Sequence, residues 1–192
     1  VLDELERITH PPGVKSHVGG QSEEMDASFE SLGFALILAL IMVYLVMASL
    51  FESLLHPFVI MFTIPLAGIG ALLGLWVTST PISVVVFIGG ILLVGIVVNN
   101  AIVLVDRVNQ LRRGDGMIKM EALILGTQER LRPILMTTLT TVLGLLPMAL
   151  GFGEAAELRT PMAVTVIGGL MVSTLLTLVI IPVVYSVLDR SP

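Results

Sequence analysis

The chain has no cysteine, which excludes disulfides and thiolate-ligated metal sites. Charge is scarce as well. Asp, Glu, Lys and Arg together make up 13% of the residues, against roughly a quarter in ordinary soluble domains. From Ser53 to Val105 none of the four occurs. There is no Ser/His/Asp arrangement, no phosphate-binding glycine loop and no metal-ligand cluster, and His10, His17 and His56 stand apart from one another. These absences point away from an enzyme: no catalytic residue, cofactor, bound metal or nucleic-acid partner is expected. No basic stretch precedes an apolar core at the start, so residues 1–30 do not read as a signal peptide.

What remains is apolar. Hydrophobic residues are 55% of the 192, and the mean hydropathy is +1.00, so the chain reads as an integral membrane protein. It opens on Val1 and a polar segment, and is expected to be a fragment of something longer. Residues 1–30 carry seven of the fifteen acids. Pro11-Pro12-Gly13 signals a turn, Val14–Val18 resembles a short strand, and Gly19-Gly20 ends it. Ser22 can cap a helix whose first turn holds Glu23 and Glu24, the sign that the dipole favours there.

Five spans follow, near 31–51, 56–77, 82–105, 133–153 and 161–187. About 20 apolar residues, at 1.5 Å each, cross the roughly 30 Å hydrocarbon core. Thr78-Ser79-Thr80-Pro81 divides the long uncharged run into two of them. The expected fold is therefore an all-α membrane protein of five transmembrane helices, preceded by a short strand and helix leaving a soluble domain. Seven of the ten Lys and Arg fall on one side: Arg107, Arg112, Arg113, Lys119, Arg130, Arg132 and Arg190. That excess places the 106–132 loop and the C-terminus in the cytoplasm, and residues 1–30 outside. Within the loop, Ile118, Ala122 and Leu125 recur at helical spacing, which suggests an amphipathic helix on the inner membrane surface.

Glycines at packing spacing, Gly70 and Gly74 above all, then Gly68, Gly89, Gly90, Gly95 and Gly168-Gly169, are read as places where helix backbones approach closely. Pro65, Pro147 and Pro182 are read as kinks. The scattered Met are gap fillers.

Polar groups inside the spans carry the functional interest, because each is costly there unless it meets a partner. Gly90–Asp106 is almost wholly apolar but holds Asn99 and Asn100 side by side. Adjacent residues lie about 100° apart on a helix, so the two amides face different ways. Thr137, Thr138, Thr140 and Thr141 form a second stripe early in the fourth span, just beyond Arg130 and Arg132. The plain alternative is that these threonines bond back to their own helix and the arginines anchor to headgroups. Ser173, Thr174 and Thr177 are a weaker instance of the same pattern, read the plain way.

Three stretches carry a family resemblance: GGQSEEMDASFESLGFALILALIMVYLVMASLFESLLHPFVIMFTIPLAGIGALLG, GILLVGIVVNNAIVLVDRVNQLRRGDG and ERLRPILMTTLTTVLGLLPMALGFG. Together they resemble the C-terminal transmembrane part of resistance–nodulation–division (RND) efflux transporters, and most of all the hydrophobe/amphiphile exporters. The resemblance implies the last five spans of a twelve-span fold in the bacterial inner membrane. It implies a homotrimer that exports drugs by proton antiport, with a periplasmic adaptor and an outer-membrane channel. In that family two Asp of the fourth span are coupled to a Lys of the tenth, with an Arg and a Thr of the eleventh nearby. By position the Lys falls at Asn99, the following Asn at Asn100, the Arg at Arg130 and the Thr at Thr137, with Thr138 and Thr141 as secondary candidates. Asn99 departs from the pattern, since an amide hydrogen-bonds but cannot take the charge of a lysine. Relatives that export metal ions, or that serve lipid transport or protein translocation, are the rival readings.

Overall fold

The computed structural model describes residues 21–51, 55–114, 116–152 and 156–188. The expected strand at Val14–Val18 lies outside them. Among the described residues the chain is helical, with no strand. In order, the helices are α1 (Gln21–Phe51), α2 (Leu55–Met61), α3 (Thr63–Val77), α4 (Val84–Arg113), α5 (Lys119–Ala149) and α6 (Ala156–Leu188). Among the described residues, five stretches are long and apolar enough to cross a membrane, α2 and α3 together making one of them. In hydrocarbon every backbone N–H and C=O has to be paired within the protein, and a continuous helix does so segment by segment.

The break between α2 and α3 follows from Pro65. Proline has no N–H to offer the carbonyl four residues earlier, and its ring crowds that carbonyl. The carbonyl is that of Met61, and the helical hydrogen-bond pattern is interrupted at the next residue, Phe62, whose backbone stays in the helical region at φ −61° and ψ −21°. The Phe62 N–H bonds instead to the Val59 carbonyl at 3.3 Å, and the buried Thr63 hydroxyl donates to the Ile60 carbonyl at 2.7 Å. Pro133 and Pro147, by contrast, lie inside α5, which remains helical through both.

Two turns set the directions of the spans. At the end of α3, Thr80 N–H reaches back to the Leu75 carbonyl at 3.0 Å, and Ser79 takes a φ of 52°, the left-handed residue that such a helix end requires. At the end of α5, Phe152 N–H bonds to the Pro147 carbonyl at 3.4 Å, and Gly151 holds the left-handed position with φ 75°. Thr160 then ties the start of α6 to that corner by donating to the Met148 carbonyl at 3.1 Å.

The segment 106–132 differs in detail from what periodicity suggests. The span holding Asn99 continues as α4 to Arg113, and the helix around Ala122 is continuous with the next span as α5. Ala122 and Leu123 are buried. A side chain on Gly126 would meet Val108. The amphipathic face thus packs against the extension of α4. Arg107 and Glu129 close this hairpin with a 2.6 Å contact between Nε and Oε2.

α6 packs against α3, α4 and α5. Its closest approach is to α3. A methyl carbon built on Gly168 would stand 2.8 Å from the Gly70 carbonyl oxygen and 2.9 Å from the Gly74 Cα. Gly169 lies against Leu93 and 3.0 Å from the Ala67 carbonyl by the same measure. Lipid tails are as apolar as leucine, so contact of this kind, and not water exclusion, holds such helices together. Gly89 faces Met162 in the same way, whereas nothing described lies near Gly68, Gly90 or Gly95. α1 leans on the rest through few contacts, one an edge-on pair of Phe29 and Phe87 rings 5.1 Å apart.

Candidate coupling site in the spans

Asn99 and Asn100 do face different ways. Val97, Val98 and Ala101 are buried, at 2%, 3% and 0% exposure, which turns one side of α4 into the bundle. Asn99 is exposed and aligns with exposed Ile88, Leu92 and Gly95 at spacings of 4, 3 and 4 residues, one face of a helix. That face points away from the other described spans. Asn100 is half-buried and borders a small cavity with Val97, Ile134, Ser173, Thr174 and Thr177. Neither amide makes a hydrogen bond among the described residues.

The four threonines of α5 divide. Three bond to their own helix: Thr137 donates to the Ile134 carbonyl at 2.9 Å, Thr140 to Met136 at 2.8 Å and Thr141 to Thr137 at 2.9 Å. Such bonds satisfy the hydroxyl without committing it to a neighbour. Thr138 alone of the four crosses to another helix, sharing a hydrogen bond with Thr174 of α6 at 3.1 Å. Thr137 is exposed, whereas Thr138 is buried.

Arg130 is half-buried, and its Nε is buried without a hydrogen-bond partner. It lies seven residues before Thr137, on the same side of α5. No hydrogen bond joins any two of Asn99, Asn100, Arg130 and Thr137 among the described residues. What the fold brings together is a different set: Asn100, Thr138, Ser173, Thr174 and Thr177, drawn from three helices. The α6 members read from sequence as bonding to their own helix, and Ser173 does so, to the Leu170 carbonyl at 3.2 Å. Thr174 does not. The signal available in sequence was position: Ser173 and Thr177 are one helical turn apart on a span whose described side chains are mostly buried. Burial of that span depends on which helices surround it, and spacing along the chain does not show that.

These groups hold no described cluster of three or more His, Asp or Glu suited to a metal ion. Neutral amides and hydroxyls, plus one cation, can bind and orient carboxylates or water but cannot themselves take up or release a proton near neutral pH.

The comparisons agree with the fold and with the motifs. The model of the AcrB/AcrD/AcrF family matches residues 2–189. Swarming motility protein SwrC of Bacillus subtilis is 46% identical over 191 residues, covering 99% of this chain and 18% of the relative. Multidrug resistance protein MdtC of Erwinia tasmaniensis is 44% identical over 190 residues, covering 97% of this chain and 19% of the relative. Among solved structures, a heavy metal efflux pump superposes with a TM-score of 0.82 at 30% identity, over 99% of this chain and 18% of that one. The chain therefore spans about a fifth of the length of the relatives it matches. A match along nearly the whole chain, with five apolar helices in the fold of a solved efflux pump, makes this a multi-pass membrane segment that belongs to the AcrB/AcrD/AcrF family of RND transporters.

Proposed function

We propose that the whole protein exports hydrophobic and amphiphilic compounds across the bacterial inner membrane by proton antiport, and that this chain forms part of the membrane core that couples proton entry to export. The observation that carries the reading is the outward face of Asn99. It is an unpartnered polar group on a span that is apolar but for its neighbour Asn100, on the side that the described spans leave uncovered. The other half of the transporter, with its carboxylates, belongs there. Asn99 donates and accepts hydrogen bonds but brings no positive charge. Carboxylates beside it, without a cation, hold a proton more readily than they would beside a lysine. Arg130 stands as the cation of this set. Substrate selection lies outside this chain, in the periplasmic part that residues 1–30 lead from. The working assembly is a homotrimer with a periplasmic adaptor and an outer-membrane channel, its C-terminus in the cytoplasm. It is a carrier and not an enzyme.

The multidrug name of the MdtC relatives, at 41–44% identity, supports the drug reading. The heavy metal pump is a more distant match, at 30–32% identity, and it keeps metal export as the second reading. Lipid transport or protein translocation by an RND relative is supported by nothing beyond the shared fold.

The test is efflux by the intact parent in membrane vesicles, offered a hydrophobic cationic dye or a divalent metal, each with and without a protonophore. Dye export that collapses with the proton gradient is the expected result. Export of metal alone would move the protein to the second reading. Dye export that survives the protonophore but needs sodium would overturn proton coupling.

A further inference from the structure

Among the described residues, the buried hydroxyls of α6 are satisfied with one exception. Thr165 donates to the Pro161 carbonyl at 2.7 Å, Ser173 to Leu170 at 3.2 Å, and Thr174 shares its bond with Thr138 at 3.1 Å. Thr177, with 3% of its surface exposed, has an Oγ1 that is buried and without a partner. It borders the small cavity that Asn100 also borders, and the amide of Asn100 has no hydrogen bond among the described residues. An unpaired hydroxyl in the interior of a membrane protein is costly, because lipid offers it nothing.

The cavity measures about 10 Å³, at the lower end of the roughly 10–15 Å³ that one water molecule needs. A buried water makes about three hydrogen bonds. The residues around the cavity supply that number: the Thr177 hydroxyl, the Asn100 amide, and a spare lone pair on Thr174 or Ser173, since a hydroxyl carries one donor and two acceptor sites. Val97 and Ile134 complete the wall and offer no competing polar group.

We propose that Asn100, Thr177 and Thr174 hold one internal water molecule between α4 and α6. The water completes a polar seam that runs from Thr138 of α5 through Thr174 to Asn100 of α4. It gives the two neighbouring amides separate tasks: Asn99 serves the outward face, and Asn100 fastens α4 to α6. The inference rests on packing and stands whatever the transporter exports.

The test is a density map of the intact parent in lipid nanodiscs, at a resolution that shows ordered water, for the native protein, Thr177→Val and Thr177→Ser. A peak at hydrogen-bond distance from Thr177 Oγ1 and the Asn100 side chain is expected in the native map. It should persist in Thr177→Ser and vanish in Thr177→Val with the helices in place. If Thr177→Val does not fold, the native and Thr177→Ser maps decide. An empty site with Thr177 turned onto its own helix would overturn the proposal. So would a peak that disappears in Thr177→Ser, or one with contacts too short for water that needs sodium in the buffer.

Discussion

Thr138 of α5 and Thr174 of α6 place their hydroxyl oxygens 3.1 Å apart, 36 residues apart in sequence, with 6% and 5% of their surfaces exposed. Either oxygen can be the donor. Replacing one partner by valine strands the other hydroxyl; replacing both leaves an apolar contact of similar shape. Single variants Thr138→Val and Thr174→Val in the intact parent should each lower stability by about 1 kcal/mol, and the double variant by less than the sum. Unfolding in mixed micelles measures the cycle. Strict additivity would mean that the hydroxyls do not interact.

The glycine seam makes a sharper distinction. Gly168 leaves no room for a methyl group against the backbone of Gly70 and Gly74, whereas Gly90 faces nothing described. Backbone cannot step aside as a flexible side chain does. Gly168→Ala should therefore destabilise the parent by about 1–3 kcal/mol, the usual cost of overpacking. Gly90→Ala should cost far less within this set of spans. Thermal denaturation in detergent compares the two, and equal losses would count against the described α3–α6 contact.

Two helix ends hold left-handed residues, and only one is a glycine. Ser79 bears a φ of 52° and Gly151 a φ of 75°. A side chain in that region costs roughly 1 kcal/mol, so Ser79→Gly should be neutral or stabilising by a few tenths to about 1 kcal/mol. Gly151→Ala should be destabilising by a similar amount. Opposite signs in the same unfolding assay are expected.

For transport, the outward amide is the group to change. Asn99→Leu should lower gradient-driven dye export by about tenfold or more, the scale of one lost hydrogen bond to a charged group. Its effect on stability should be small, because no described bond holds Asn99. Asn99→Lys should move export toward lower pH. A cation beside carboxylates lowers their pKa, so more acid is needed to load them. Full export at an unchanged pH in both variants would remove Asn99 from the coupling scheme.

Hydropathy alone located the apolar stretches, because about 20 uncharged residues in a row have few other uses. The 100° step between neighbours on a helix already required Asn99 and Asn100 to part. The motifs around them were specific enough to indicate the family. Tertiary structure decided which glycines touch: Gly70, Gly74 and Gly168 meet, while Gly68, Gly90 and Gly95 look the same in sequence and meet nothing described. It also decided that Thr138 crosses to α6 while Thr137, Thr140 and Thr141 bond to their own turns. Spacing fixes the face on which a side chain lies, whereas the partner of that face depends on which other helix is laid against it, and that is a property of the packed bundle.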